Sequence, residues 1–260
     1  MTPLPRLYKY KRLDEKTVSL IVNRVIYFAG PNQFNDPFDC SLRYDLSGTE
    51  AEWRDYFARS LTELRPELAP EEAANMVDAQ MREGAFRNTR FLKSISDDAL
   101  RHQNERLGIL SLTADPTNIL MWSHYADAHR GCCLEFSTSA PVFKGAVNFR
   151  RAEHVKYAVE YPSVRFLDCV GKPDKHVEFT VLTKSDLWEY EEEWRITSLR
   201  GPGLYKFDEL SLTGIICGHW MTEENVALLK GLVNCRKPKV RLCRAAPNGR
   251  QFAMKLLPLD

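Results

Sequence analysis

The sequence predicts an α+β fold, a single domain with a mixed, mostly antiparallel sheet, flanking helices and a helical insertion. Three observations carry this. Short stretches that alternate apolar and polar residues, the signature of strands, recur from Arg6 to the C-terminal region. Between them stand segments with apolar residues at helical spacing, several opened by a capping residue or a proline. Residues 49–104 change character, with charged residues and Ala, Leu and Met at helical spacing, and read as two or three helices forming an insertion or cap. No Gly/Ser-rich or Pro-rich linker divides the 260 residues, so 1–260 reads as one domain.

In chain order, Arg6 to Lys11 alternate as a strand should, with Leu7, Lys9 and Lys11 on one side and Tyr8 and Tyr10 on the other. Asp14 can cap a helix to about Asn23, and Arg24 to Phe28 is rich in β-formers. Phe34-Asn-Asp-Pro-Phe-Asp39 reads as a turn between two aromatic anchors, in which Asn35 and Asp36 hold their own backbone; the alternative is that Asp36 and Asp39 line a cleft. In the insertion, Glu71 and Glu72 follow Pro70 as at a helix start, and Arg82, Arg87 and Arg90 solvate outer faces or edge a cleft for an anion. Leu107 to Thr113 is a strand with Ile109, Ser111 and Thr113 facing one way and Leu110 and Leu112 the other. Asp115 to Asn118 turns into a helix in which Trp122, Tyr125, Ala126 and His129 fall on one face, stopped at Gly131. The period then changes to two: Cys132, Leu134 and Phe136 share one side of a strand, Cys133 and Glu135 the other.

After a loop with Pro141 and Gly145, a strand near His154 to Tyr157 and a helix from Lys175 to Leu187 are expected. A strand from Glu191 puts Glu191, Glu193 and Arg195 on one face and Trp194 and Ile196 in the core. Two carboxylates on one face repel unless a cation or ligand compensates; the plainer reading is an edge strand with an ordinary surface ion pair between Arg195 and a glutamate. The chain closes with a strand at Leu210 to Cys217, a helix from Thr222 to Val233, and strands at Lys239 to Arg244 and Arg250 to Leu257.

Composition narrows the function classes. A formal charge of +1, from 36 basic and 35 acidic residues, supplies no global field for nucleic acid or membrane. Met1 to Tyr10 lacks the apolar core of a signal peptide and no segment is long enough to span a bilayer, so a soluble, cytoplasmic protein without a membrane partner is expected. Seven cysteines with no C-x-x-C pair are expected to be reduced, and no metal is expected. There is no Gly-rich phosphate loop, G-x-S-x-G elbow or H-E-x-x-H. His124 and His129, five residues apart, do not share a helix face, and a dyad of His129 with Cys132 or Cys133 is disfavoured by their placement after the helix. What remains is the carboxylate pair Glu191 and Glu193 with Tyr125, Trp122, His129 and basic residues of the first strand. That combination suits a reaction in which positive charge develops on a sugar.

Leu7-Tyr-Lys-Tyr10, Phe34-Asn-Asp-Pro-Phe-Asp39, Met121-Trp-Ser-His-Tyr-Ala126 with His129-x-Gly131, and Trp188-x-Tyr-Glu-x-Glu-Trp-Arg195 resemble, in order, the landmarks of an uncharacterised bacterial family. More distantly, the order of strands is similar to the ADP-ribosyltransferase superfamily. That resemblance implies an ADP-ribosyltransferase-like fold and a transferase or NAD glycohydrolase acting on a nicotinamide dinucleotide (NAD), a toxin or phage-defence effector, with a protein or nucleic acid as acceptor. It implies Glu193 as catalytic glutamate, Glu191 as its companion, and Ser111 or Thr113 at the middle position. Lys9 or Lys11 stands where that superfamily has Arg or His. Tyr125 and His129 join the catalytic set; Tyr10, Trp122 and Arg195 join Lys9, Lys11, Ser111 and Thr113 around the cofactor. Glu193 and Tyr125 are expected in one pocket. The alternatives are a non-catalytic module that binds a nucleotide or peptide, and a metal-dependent nuclease built on Asp36, Asp39, Glu191 and Glu193.

Overall fold

A computed structural model of the chain describes residues 4–145 and 148–259. The reading of Met1 to Tyr10 falls in part on residues 1–3, and the loop after Phe136 in part on 146–147, outside the described residues.

β1 (Arg6–Lys11) leads to α1 (Glu15–Asn23), whose Thr17 N–H donates to the Asp14 carboxylate, and then to β2 (Val25–Phe28) and β3 (Arg43–Asp45). The insertion follows as α2 (Glu50–Leu64), α3 (Pro70–Arg82) and α4 (Thr89–Glu105). Thr49 and Glu52 form a reciprocal capping box at α2, and Pro70 occupies the first position of α3, where its missing N–H costs nothing. Trp53, Phe57, Val77, Met81 and Leu92 bury one another, while Arg82, Arg87 and Arg90 are exposed.

The chain re-enters the sheet through β4 (Gly108–Thr113), α5 (Ile119–Tyr125) and β5 (Cys132–Ser137). Short elements come next: α6 (Pro141–Lys144), β6 (Glu153–His154), β7 (Lys156–Ala158), β8 (Ser163–Arg165), α7 (Phe166–Cys169), α8 (Pro173–Thr180) and β9 (Thr183–Ser185). The last part comprises β10 (Glu193–Ser198), β11 (Gly203–Lys206), β12 (Leu212–Cys217), α9 (Glu223–Asn234), β13 (Arg241–Pro247) and β14 (Met254–Pro258).

Eight strands form one sheet in the order β14-β13-β12-β5-β1-β4-β10-β6, antiparallel throughout except for β12 with β13. The fold is thus α+β with a mixed, mostly antiparallel sheet. Leu110 and Leu112 of β4, Cys132, Leu134 and Phe136 of β5 and Ile196 of β10 bury one face together. Burying a large apolar side chain stabilises by roughly 1.5–3 kcal/mol. Cys133 lies on the opposite face with Tyr10, Trp122 and Met121, as the alternation of β5 requires. The sheet has one weak seam. β1 matches β5 at six residue pairs and β4 matches β10 at six, but β1 meets β4 at one, Tyr8 opposite Thr113.

Two local expectations are corrected. The helix after Asn118 ends at Tyr125, and Asp127, Ala128 and His129 take φ of 50°, 48° and 65°, so His129 leaves the helical face it would have shared with Tyr125. Close backbone approach explains this: a Cβ on Gly131 would lie 2.3 Å from the Lys11 carbonyl, and one on Gly218 2.1 Å from that of His129. The second correction concerns residues 175–193. α8 stops at Thr180, β9 pairs with β7, Asp186–Glu191 forms a 3-10 helix, and β10 begins only at Glu193 after Glu192 turns left-handed at φ 43°. The site's carboxylates therefore straddle a helix–strand junction.

Candidate active site

At the weak seam, Lys9, Tyr10 and Lys11 of β1 face Ile109, Ser111 and Thr113 of β4 across a cavity of about 520 Å³, within the usual size of small-molecule sites. Glu191, Glu193, Arg195 and Lys184 close its floor; Tyr27, Phe34, Asn35, Met121, His124 and Tyr125 complete its walls.

The floor is a buried ionic cluster. Arg195, 1% exposed, donates through Nε and Nη2 to the two oxygens of Glu193 at 2.8 and 2.9 Å, and through Nη1 and Nη2 to Asp39 at 2.9 and 2.5 Å. Lys184 Nζ donates to Glu191 at 2.6 Å and to Glu193 at 3.0 Å. Tyr125 Oη donates to the other Glu191 oxygen at 2.7 Å. Three carboxylates thus meet two fixed cations, with Phe34 capping the Arg195 guanidinium at 5.4 Å. The Tyr157 hydroxyl accepts from the Glu193 N–H and pins the start of β10.

These contacts set the protonation states. Burial pushes the Glu193 carboxyl up, but Arg195 first and Lys184 next outweigh it and hold its pKa down to about 2. Burial opposes the charge of Lys184 as well, yet Glu193 and Glu191 raise its pKa. Burial raises the Tyr125 hydroxyl, and the Glu191 charge raises it further, so it remains a donor. Lys9 behaves oppositely. Its Nζ donates to the Ser111 carbonyl at 2.7 Å, and burial, helped by Lys11, lowers its pKa to about 8. The cavity wall therefore holds an amine that gives up its proton more readily than an ordinary lysine.

Glu191, Glu193, Tyr125, Lys9, Tyr10, Lys11, Ser111, Thr113 and Arg195 all line this one cavity, and Glu193 and Tyr125 share it as expected. His129 and Trp122 do not. Trp122 is fully buried against Tyr10, and His129 lies beyond it beside Ser123 and Trp220. Glu193 and Arg195 are not a surface pair on an edge strand: both are buried, and β10 lies between β4 and β6. Asp39 lines the cleft, whereas Asp36, outside it, accepts from the Phe38 N–H and holds the turn. Phe38, read as an aromatic anchor, is 63% exposed. Lys184 is the residue that sequence reasoning missed, because a helix was expected where a three-residue strand aims it at the carboxylates.

Residues 121–196, from within α5 to within β10, match the family described as "Protein of unknown function (DUF2971)". The matched stretch carries Tyr125, Lys184, Glu191, Glu193 and Arg195 and leaves Lys9, Asp39, Ser111 and Thr113 outside it. No curated protein and no solved structure matches the chain.

Proposed function

We propose that this chain is an ADP-ribosyltransferase-like enzyme, a transferase or glycohydrolase that acts on a nicotinamide dinucleotide in the seam between β1 and β4. One observation carries the reading: Glu193 is kept ionised on the floor of a nucleotide-sized cavity, with Glu191 and the Tyr125 hydroxyl beside it. Cleavage of the ribosyl C1′–N bond sends the bond pair to nicotinamide, which leaves neutral, and puts positive charge on the ribosyl centre. The fixed charge of Glu193 stabilises that centre, and the hydrogen-bonded shell around it requires no reorganisation during the reaction. Water, or an acceptor hydroxyl, amine or amide, forms the new bond and gives its proton to Glu191. Tyr10, Tyr27 and Phe34 supply flat apolar surface for the rings, and Lys9 and Lys11 supply positive charge for phosphate. A toxin or phage-defence effector in the cytoplasm, modifying a protein or nucleic acid, is the role this chemistry would serve.

The pairing of every cluster carboxylate with a fixed cation argues against the nuclease alternative, since a divalent ion would have to displace Lys184 or Arg195. It also favours a second reading, a non-catalytic nucleotide-binding module, because both Glu193 oxygens already accept hydrogen bonds. Nicotinamide release separates the two. Wild-type protein incubated with NAD, with and without protein or nucleic-acid acceptors, is expected to release nicotinamide. Glu193→Gln is expected to lower the rate by about 10²-fold or more, with thermal melting as the folding control. Binding of NAD without release by wild type would establish the module, and neither binding nor release would end the transferase reading and leave a module for another nucleotide or a peptide in its place.

A further inference from the structure

A second cavity of about 240 Å³ opens on the other side of Tyr8, which lines both. At its base is Glu135, 5% exposed. Its carboxylate accepts from Thr213 Oγ1 at 2.7 Å, and from Arg241 Nη2 at 2.7 Å on each oxygen, and lies 3.5 Å from Arg6 Nε. Gly214, directly across the strand pair, makes room for it; a Cβ there would stand 3.3 Å from the carboxyl carbon. One buried carboxylate therefore positions two guanidiniums that are each about half exposed, 48% and 55%. Arg241 spends one nitrogen on Glu135, and its remaining N–H groups, like the terminal nitrogens of Arg6, stay directed to no carboxylate among the described residues. Two cations over one anion leave a net charge of +1, in the fork geometry that suits phosphate.

The strand register ties this cavity to the first. Arg241, Gly214, Glu135, Tyr8, Thr113 and Glu193 are successive cross-strand partners, one row on one face of six adjacent strands. At about 4.8 Å per strand, Arg241 lies roughly 14 Å from Tyr8 along that row. We infer that Arg6 and Arg241 form an anion site for the phosphate group of an extended ligand whose other end fills the cavity between β1 and β4. The anion site stands on its own geometry; that one dinucleotide spans both cavities rests on the function proposed above.

The test is titration with inorganic pyrophosphate at low and high salt, followed calorimetrically, for wild type, Arg6→Gln and the double variant Glu135→Gln/Arg241→Gln. The double variant removes the buried acid together with its partner, so no bare charge stays in the sheet. Each variant should bind about 10-fold more weakly, the loss expected for one charge-assisted contact, and wild-type binding should weaken as salt rises. No binding by wild type, or equal binding by both variants with melting temperatures near wild type, overturns the site. A second arm compares NAD with nicotinamide mononucleotide, which ends at its single phosphate. Weakening confined to NAD supports the spanning ligand, and equal weakening of both refutes it. If NAD is neither bound nor cleaved while pyrophosphate binding depends on Arg6 and Arg241, the proposed function fails and the anion site remains.

Discussion

Two arginine–aspartate pairs in this molecule have almost the same length and different consequences. Arg54 reaches Asp78 at 2.7 Å across the outer surface of the helical insertion, both side chains nearly half exposed. Arg195 reaches Asp39 at 2.9 and 2.5 Å under the cavity, both nearly devoid of solvent. In water the attraction is screened and ordering two long side chains costs as much as it returns. Out of water the same attraction is far larger, but so is the penalty for desolvating each charge. The insertion is held by its aromatic core around Trp53 and would lose little without its ion pair. The cavity floor, by contrast, is a place where hydrophobic residues of equal volume would stabilise as well or better, and where charge has been kept. A buried charge cluster kept where apolar packing would serve is what makes this floor a candidate functional site.

Replacing Arg195 with Met should widen this contrast most. It strands Asp39 and Glu193 in a buried site with Lys184 as their shared cation, and a loss of about 3–5 kcal/mol in denaturant unfolding is expected. A loss below about 1 kcal/mol would mean that solvent reaches the floor, and the contrast with Arg54 would dissolve.

Acid comes next. The depressed pKa of Glu193 contributes stability that is complete above the ordinary glutamate value and disappears as pH falls from about 4.5 through about 2. Urea midpoints followed from pH 6 to pH 2 should show that slope in wild type and a shallower one in Glu193→Gln. Base sharpens the picture through Lys9. Its folded pKa of about 8 lies below the ordinary 10.5, so between those values the unfolded chain binds the extra proton and stability should rise with pH. Lys9→Met should remove that rise. Lys184, whose pKa is raised, has the opposite sign: its contribution is complete below 10.5 and is lost as pH climbs through the higher folded value. The smallest effect is reserved for Arg54→Ala, which should leave the unfolding midpoint close to wild type at any salt concentration. A clear loss there would show that the insertion depends on its surface charges.

Much of this was legible in sequence where the signal is local. Asp14, Pro70 with Glu71 and Glu72, Asn118 and Thr222 announce their helices, and the alternation in β4 assigns Ser111 and Thr113 to one face and Leu110 and Leu112 to the other. The site was half legible. Glu191 and Glu193 were read as partners on one strand face; they do converge, but through a 3-10 helix and a left-handed Glu192 that no period-two pattern reveals. Lys184 and Asp39 reach the same carboxylate cluster from elements whose meeting depends on tertiary packing. His129 was misplaced for a related reason, since the glycine that forces its turn, Gly218, belongs to a different element far along the chain.

That turn ties together parts of the chain that lie far apart in sequence. Three successive left-handed residues cost about 1–2 kcal/mol each, so Asp127 to His129 will not hold this shape unaided. Local bonds from the Ala128 and His129 N–H groups to the Ser123 and Trp122 carbonyls are joined by two from late in the chain: the Gly218 N–H donates to the Gly131 carbonyl, and the Trp220 N–H to that of His129. Such a contact closes a long loop, and its entropy must be met before the turn is secure. Tyr125, immediately upstream, donates to Glu191 from the end of the helix that this turn closes. The stretch that matches a family runs from Met121 to Ile196, yet the turn inside it is held by backbone partners at Gly218 and Trp220, which lie outside that stretch.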